Sequence, residues 1–267
     1  MLENQNSIAY LINSTPKYYY ILELHLVLLK RYAPSLKWPI YLATEEPEHP
    51  ICKLVSEKYD VKLLILEKEN SSFLTSRKRA LEILPSNITR VFPIQEDFLL
   101  ERSTDMSAID ESISLLNSDD NLVAVRYMPC PGPNEKNRVY KNSWVEISEK
   151  NDTYGFCFQA TLWKREFLQV WYSRIVSKCE EYGSIDKKRL EVDINIAENA
   201  DGQKLFYSLF KDYKQIGWVR AHRWPNAVYM SPWPYRPTAI VRGALQPFAK
   251  ELAEREGVIL MNTASKV

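Results

Sequence analysis

Along its first 126 residues the chain switches repeatedly between two apolar patterns. Short, nearly continuous apolar runs occupy residues 7–13 (SIAYLIN), 38–43 (WPIYLA), 61–66 (VKLLIL), 90–95 (RVFPIQ) and 122–126 (LVAVR). Apolar runs of this length, bounded by polar residues, read as strands, the first and the fourth of them as buried ones. Between them lie longer segments, 16–32, 48–59, 71–84 and 103–117, that read as helices. Thr15 and Pro16 supply an N-cap and a first helical residue for the first of these, and Pro34 and Pro85 stop the first and third.

Strands that alternate with helices predict a mostly parallel sheet with helices on both faces. Sheets of that kind take ligands in the crevice beyond the carboxyl ends of their strands. The residues to watch are therefore Asn13-Ser14-Thr15, Thr44-Glu45-Glu46, Glu67 and Gln95-Glu96-Asp97.

The second half has a different texture. Residues 127–154 form a polar, Pro-rich connection containing MPCPGPNEKN, long enough to be either functional or mobile. Residues 161–180 predict a helix, with Trp163, Phe167, Val170, Trp171 and Ile175 at helical spacing. Leu190, Val192, Ile194 and Ile196 alternate with polar residues as a strand does, and AENADGQKLFYSLF after them reads as helix. Residues 217–237 are dense in Trp, Tyr, Arg and Pro; a last strand is expected at 238–242 and a last helix at 246–256.

Composition narrows the classes. A chain of 267 residues, 45% hydrophobic and 26% charged, fits one large globular domain or a domain with a small appendix. A net charge of +1 gives no general attraction to nucleic acid or anionic membrane. Seven glycines, none in residues 7–17, argue against a Gly-rich nucleotide loop. Cys52, Cys130, Cys157 and Cys179 show neither CxxC nor zinc-type spacing, which fits a reducing compartment better than a disulfide framework. The start of the chain lacks the pattern of a secretory leader. Residues 18–29, the longest apolar stretch, are broken by Glu23 and His25 and are too short to cross a bilayer. A soluble, cytoplasmic protein is expected, with peripheral membrane association compatible and neither a transmembrane segment nor a nucleic-acid partner.

Two features could carry chemistry. Glu96-Asp97 interrupts an apolar run, where a carboxylate is costly unless it is paired, bound to metal or already emerging from the sheet. The pair marks either the ligand end of the fourth strand or a turn with solvated charges. Arg77 shares a helical stripe with Phe73, Leu81 and Leu84, on the face where charge is normally excluded. It sits in the first turns of its helix, so it reaches a phosphate at the ligand end or pairs structurally with a carboxylate.

These residues together resemble the nucleotide-sugar domain of GT-A fold glycosyltransferases, of the family-2-like kind. The features shared are a first strand ending in Asn13-Ser14-Thr15, a basic helix before the fourth strand, and an acidic group at that strand's end. Gln95-Glu96-Asp97 falls where that family has its Asp-x-Asp motif, with Gln95 at the first Asp and Asp97 at the second. Residues 154–168 (YGFCFQATLWKREFL) are similar to a segment that recurs after the acceptor loop, and Leu190-Glu191-Val192-Asp193 stands where an acidic element faces the sugar. The resemblance covers residues 7 to 200. It implies an α/β, GT-A-like single domain with a Rossmann-like, mostly parallel central sheet flanked by helices. Residues 1–126 would form the nucleotide-sugar half and residues 127–267 the acceptor half with a C-terminal segment.

The activity implied is transfer of a sugar from a nucleotide-sugar donor to a glycan or other hydroxyl acceptor, inverting and assisted by Mn²⁺ or Mg²⁺. Asn13, Thr15, Thr44, Glu46, Arg77, Gln95 and Glu96 would line the donor site, Asp97 and His222 would hold the cation, and Glu191 or Asp193 would be the base, Glu191 first. His222 has Arg220 and Arg223 beside it, which also reads as a basic surface cluster. Two other readings stay open: a non-catalytic nucleotide- or glycan-binding protein on the same fold, and a nucleotidyltransferase. His25 reads as a structural residue, and His49 lies in a Pro-flanked loop near the nucleotide end of the sheet. Trp218, Trp224, Tyr229, Trp233 and Tyr235 read as core under loops or as flat faces for a sugar.

Overall fold

The computed structural model of the protein describes residues 7–183, 193–236 and 238–260. The first half follows the expected alternation: β1 (Ile8–Asn13), α1 (Leu22–Tyr32), β2 (Ile40–Thr44), α2 (Pro50–Tyr59), β3 (Lys62–Ile65), α3 (Phe73–Ile83), β4 (Arg90–Gln95), β5 (Leu99–Leu100), α4 (Met106–Ser118) and β6 (Leu122–Arg126). The second half adds β7 (Val139–Lys141), β8 (Trp144–Ile147), β9 (Thr161–Lys164), α5 (Arg165–Gly183), α6 (Asp193–Glu198), α7 (Ala200–Leu209), β10 (Lys214–Trp218), α8 (Asn226–Tyr229), β11 (Tyr235–Arg236), β12 (Ile240–Val241), β13 (Ala244–Leu245) and α9 (Pro247–Glu256).

The main sheet runs in the order β3-β2-β1-β4-β9-β6-β10-β8-β7. β1 is parallel to β2 and β4, β2 to β3, and β6 to β10, whereas β9 runs against β4 and β6 and β8 against β10. This is the expected GT-A-like α/β architecture. Both faces are apolar, as a strand buried on each side requires. Ile8, Tyr10 and Ile12 of β1 join the core under α1, α2 and α4, while Ala9 and Leu11 join the core under α3, α5 and α7. Register sets the site: Asn13 stands level with Gln95 on one side and Ala43 on the other, so β1, β2 and β4 open into one crevice at their carboxyl ends.

Several elements differ from the sequence reading. The first helix is split, with a 3-10 segment at Pro16–Ile21 before α1, and Thr15 makes no side-chain cap. Residues 161–164 are strand β9, wedged between β4 and β6, and the helix begins at Arg165. A short apolar stretch satisfies both periods, so spacing alone does not separate the two. From Asp193 onward the alternation at 190–196 is helix α6; its earlier part lies outside the described residues. The connection at 127–154 is not all loop: β7 and β8 form a hairpin whose turn residue Asn142 has φ 49°, a conformation Asn tolerates well. Buried Arg126 fastens this connection by donating to the carbonyls of Tyr154 (3.0 Å) and Gly155 (2.8 Å).

Candidate functional site

A cleft of about 430 Å³ opens at the carboxyl ends of β1, β2 and β4. Its floor is Asn13, 5% exposed, with Gln95 and Glu96 beside it. Asn13 Oδ1 has no hydrogen-bond partner among the described residues, so a polar ligand group could satisfy it. One wall is the first turn of α3. Ser72 caps that helix by accepting from the Thr75 amide at 3.2 Å. The Ser71 and Ser76 hydroxyls both donate to Glu45 Oε1, at 2.6 and 2.7 Å, which pins the turn after β2 to the helix start. Lys68 pairs with Glu46 across the rim at 3.2 Å. Thr15, Pro16 and Tyr18 close the opposite side.

Arg77 comes from the second turn of α3 and lines the cleft while nearly buried. Its guanidinium lies 3.4 Å from the centroid of the Phe73 ring and 5.5 Å from that of Phe158, and it donates to the Phe73 carbonyl at 2.9 Å. Stacking on aromatic faces holds a planar cation in place. The helix N-terminus adds partial positive charge in the same direction.

The acidic pair divides into two environments. Glu96 is buried, and burial together with the charge of Asp97 pushes its carboxyl up to about 8, against the opposing pull of Arg77. At neutral pH it is mostly a neutral acid. Its carbonyl lies 3.1 Å from His25 Nδ1, and His25 Nε2 lies 2.7 Å from the Tyr10 hydroxyl. A carbonyl only accepts, so Nδ1 carries the proton and Nε2 accepts from Tyr10. Burial holds His25 down to about 4, consistent with a neutral ring. Asp97, 6% exposed, turns the other way. Its Oδ2 accepts from the Thr238 hydroxyl at 2.6 Å and the Ile240 amide at 3.2 Å, and its carbonyl accepts from Ala239 at 2.9 Å. Burial raises its carboxyl and these bonds oppose the rise.

Of the residues expected from sequence, Asn13, Thr15, Glu46, Arg77, Gln95 and Glu96 meet in the cleft. Thr44 does not line it; its hydroxyl is buried against Tyr19 (2.5 Å) and caps the Glu46 amide (2.9 Å), so it shapes the turn. Asp97 binds the 238–240 segment, and His222 lines a separate cavity with Arg220 and Arg223. Among the described residues there is no group of three or more His, Cys, Asp or Glu side chains able to hold a metal ion. With Asp97 engaged by Thr238 and Ile240 and His222 in a separate cavity, the oxygen shell that Mn²⁺ or Mg²⁺ requires does not assemble among the described residues. Glu191 lies outside the described residues, and Asp193 is the first residue of α6, which packs against α3 and α5. His49 caps α2 through Nδ1, a structural role.

Sequence reasoning missed the serines at the start of α3 and Glu198, whose carboxylate accepts from the Phe158 amide at 2.9 Å. Ser71-Ser72 before an apolar run is an N-cap signal that was there to find. Glu198 meets Phe158 only through the fold. Among the described residues no helix is long and apolar enough to cross a membrane.

No protein-family model and no curated protein matches the chain. It is similar to the solved structure of 4-diphosphocytidyl-2C-methyl-D-erythritol synthase from Anaerococcus prevotii, at 13% identity, with 81% of this chain and 90% of that one covered and a TM-score of 0.45. It is similar to S. aureus TarS (residues 1–349) in complex with UDP-GlcNAc, at 12% identity, with 81% and 59% covered and a TM-score of 0.44. It is also similar to the glycosyltransferase GlyE of Streptococcus pneumoniae, at 14% identity, with 81% and 45% covered and a TM-score of 0.45. The chain thus spans little more than half of the TarS fragment and less than half of GlyE.

Proposed function

We propose that the protein is a glycosyltransferase that moves a sugar from a nucleotide-sugar donor to a hydroxyl acceptor. The observation that supports this is the cleft itself: a polar floor of Asn13 and Gln95, a stacked Arg77 and the capped N-terminus of α3 converge at the ligand end of a mostly parallel sheet. Arg77 and the helix N-terminus face the donor diphosphate and offset the charge that grows on it as the glycosidic bond breaks. Tyr18 and Phe73 give flat walls for a base. The acceptor oxygen attacks the anomeric carbon from the side opposite the diphosphate. The new C–O bond forms, the old one breaks, and the electron pair leaves with the diphosphate. The acceptor proton goes to a carboxylate, Glu191 or Asp193, and the configuration inverts. The first half of the chain supplies the donor site, and the second half supplies the acceptor side. The donor atoms for a divalent cation do not assemble among the described residues, so no step here depends on one.

The test is thermal unfolding with nucleoside diphosphates and nucleotide sugars, each with and without Mn²⁺ or Mg²⁺, on the wild type and on Arg77→Met. A ligand at a hundred times its Kd stabilises a fold by about 2.7 kcal/mol. One nucleotide family should stabilise the wild type and leave Arg77→Met unchanged, and wild type with that donor should slowly release nucleoside diphosphate. Binding without any release would favour the non-catalytic reading, and no stabilisation by any nucleotide would overturn the proposal.

A further inference from the structure

A second cavity, of about 730 Å³, lies at the other end of the same sheet edge. It is built where residues 134–137 and 150–151 meet the chain leaving β10 at 220–223. Lys136, Lys150, Arg220 and Arg223 line it, with His222 among them and Glu135 the one carboxylate in the lining. None of the four cations makes an ion pair among the described residues. Four like charges gathered without partners repel one another, and an anion relieves that repulsion.

The backbone that carries them is fixed in place. The Arg220 amide donates to the Pro133 carbonyl at 2.9 Å, and Asn134 and Arg220 form a bridge. Gly217 lets Pro133 close onto β10, since a Cβ there would lie 2.5 Å from the Pro133 ring. Asn137 is held from behind by Asp152 and by the Glu146 carbonyl. Next to Arg223 stands Trp224, 49% exposed although tryptophan is usually well covered. Trp224 follows the last residue of the cavity lining, and an exposed indole at its edge offers a surface on which a sugar ring can pack its C–H face.

Position then sets the size of the ligand. β6 and β10 run parallel to β1 and β4, so this cavity and the donor cleft share one edge of the sheet. β10 is three strands from β4 and four from β1. At about 4.8 Å per strand, that separates the two sites by roughly 14–19 Å, several sugar units. We propose that the cavity holds an anionic group of an extended carbohydrate acceptor, whose reacting hydroxyl lies at the donor cleft. The acceptor role rests on the transferase reading above; the anion site itself does not. The anion could be a phosphate ester or a uronic acid carboxylate, and the same cations would serve either.

Titration calorimetry at low ionic strength tests this with maltoheptaose, phosphorylated maltoheptaose, a galacturonate heptamer and a dT heptamer. The anionic glycans should bind more tightly than maltoheptaose, and whichever of the two binds better identifies the anion. Exposed charge pairs each contribute modestly, so Lys136→Gln with Lys150→Gln should weaken anionic glycans about tenfold and leave maltoheptaose unchanged. Glu135→Gln should tighten them. Trp224→Ala should weaken all three glycans alike. These side chains are exposed, so the variants keep the fold, which equal melting temperatures will verify. Equal affinity for neutral and anionic glycans, or indifference to the lysine changes, would overturn the proposal. So would dT binding as tight as the glycans and equally sensitive to the variants, because the cavity would then be a general polyanion patch. Nucleoside diphosphate titrated into the same variants should bind as in wild type. Its failure to bind even wild type, with glycan binding intact, would overturn the transferase reading and leave the anion site supported.

Discussion

Glu96→Gln should make the protein more stable, by an amount that depends on pH. The Glu96 carboxyl is pushed up to about 8 by burial and by Asp97, from an ordinary value of 4.5. A carboxyl whose folded value is raised binds more protons folded than unfolded between those two values, so stability falls as pH climbs through that window. One unit is worth about 1.36 kcal/mol, which makes the full cost of ionising Glu96 about 5 kcal/mol above pH 8. Glutamine keeps the shape and never ionises, so it removes this cost. The difference between variant and wild type should be about 1 kcal/mol at pH 5, about 3 at pH 7 and about 5 at pH 9. At pH 7 that corresponds to a melting temperature higher by roughly 6 °C or more for a chain of this size. Urea unfolding of both proteins at the three pH values measures it directly. A difference that stays constant with pH, or a variant less stable than wild type at pH 9, would show that Glu96 is not held neutral by its surroundings.

Three further outcomes follow from particular contacts. Arg165 donates to the carbonyls of Leu81, Leu84, Pro85 and Ile88 at 2.7–3.1 Å and so satisfies the end of α3; Arg165→Ala should cost about 2–4 kcal/mol in urea unfolding, and Arg165→Lys should recover less than half. At Gly202 an added Cβ would lie 2.2 Å from the Ile196 carbonyl oxygen and 2.7 Å from that of Ala197, backbone atoms that cannot step aside, so Gly202→Ala should cost about 3 kcal/mol or more by the same measurement. An anion in the donor cleft favours the protonated form of Glu96, so nucleoside diphosphate affinity should fall as pH rises through about 8 in wild type and stay flat over that range in Glu96→Gln.

Much of the first half was legible because each buried strand there is one uninterrupted apolar run. β4 and β6 begin and end where the pattern does. The second half hid its strands for physical reasons. β9 is four residues long and flows directly into α5, so Trp163 and Phe167 fall at helical spacing across the junction. β8 and β10 are recognisable as strands only once they pair with each other and with β6. The residues that line the cleft were readable for a related reason: the strand ends at Asn13 and Gln95 are fixed by the same runs that fix the strands, and Arg77 betrays itself by sitting on an apolar stripe. Thr44 was misplaced because a strand end alternates its faces, and a residue one step along turns from ligand to core.

The acidic pair marks the limit of that legibility and also its most instructive point. In sequence, Glu96 and Asp97 are two equivalent carboxylates at the mouth of a strand. In the fold they separate by partner. Asp97 meets Thr238 and Ile240, from a segment more than 140 residues further along, and ties the C-terminal part of the chain to the exit of β4. Glu96 is left in the cleft with burial on one side and Arg77 on the other, and it answers by giving up its charge. The consequence is electrostatic. Two ionised carboxylates beside Arg77 would cancel its charge and call for a cation before any diphosphate could approach. With Glu96 neutral and Asp97 held by Thr238 and Ile240, Arg77 meets less opposing charge from the acidic pair, while Glu45 and Glu46 stay in the cleft lining beside Lys68. If the cleft takes a diphosphate, as proposed above, Arg77, which lines it, rather than Asp97, which is tied to the 238–240 segment, is the residue on which its binding should depend.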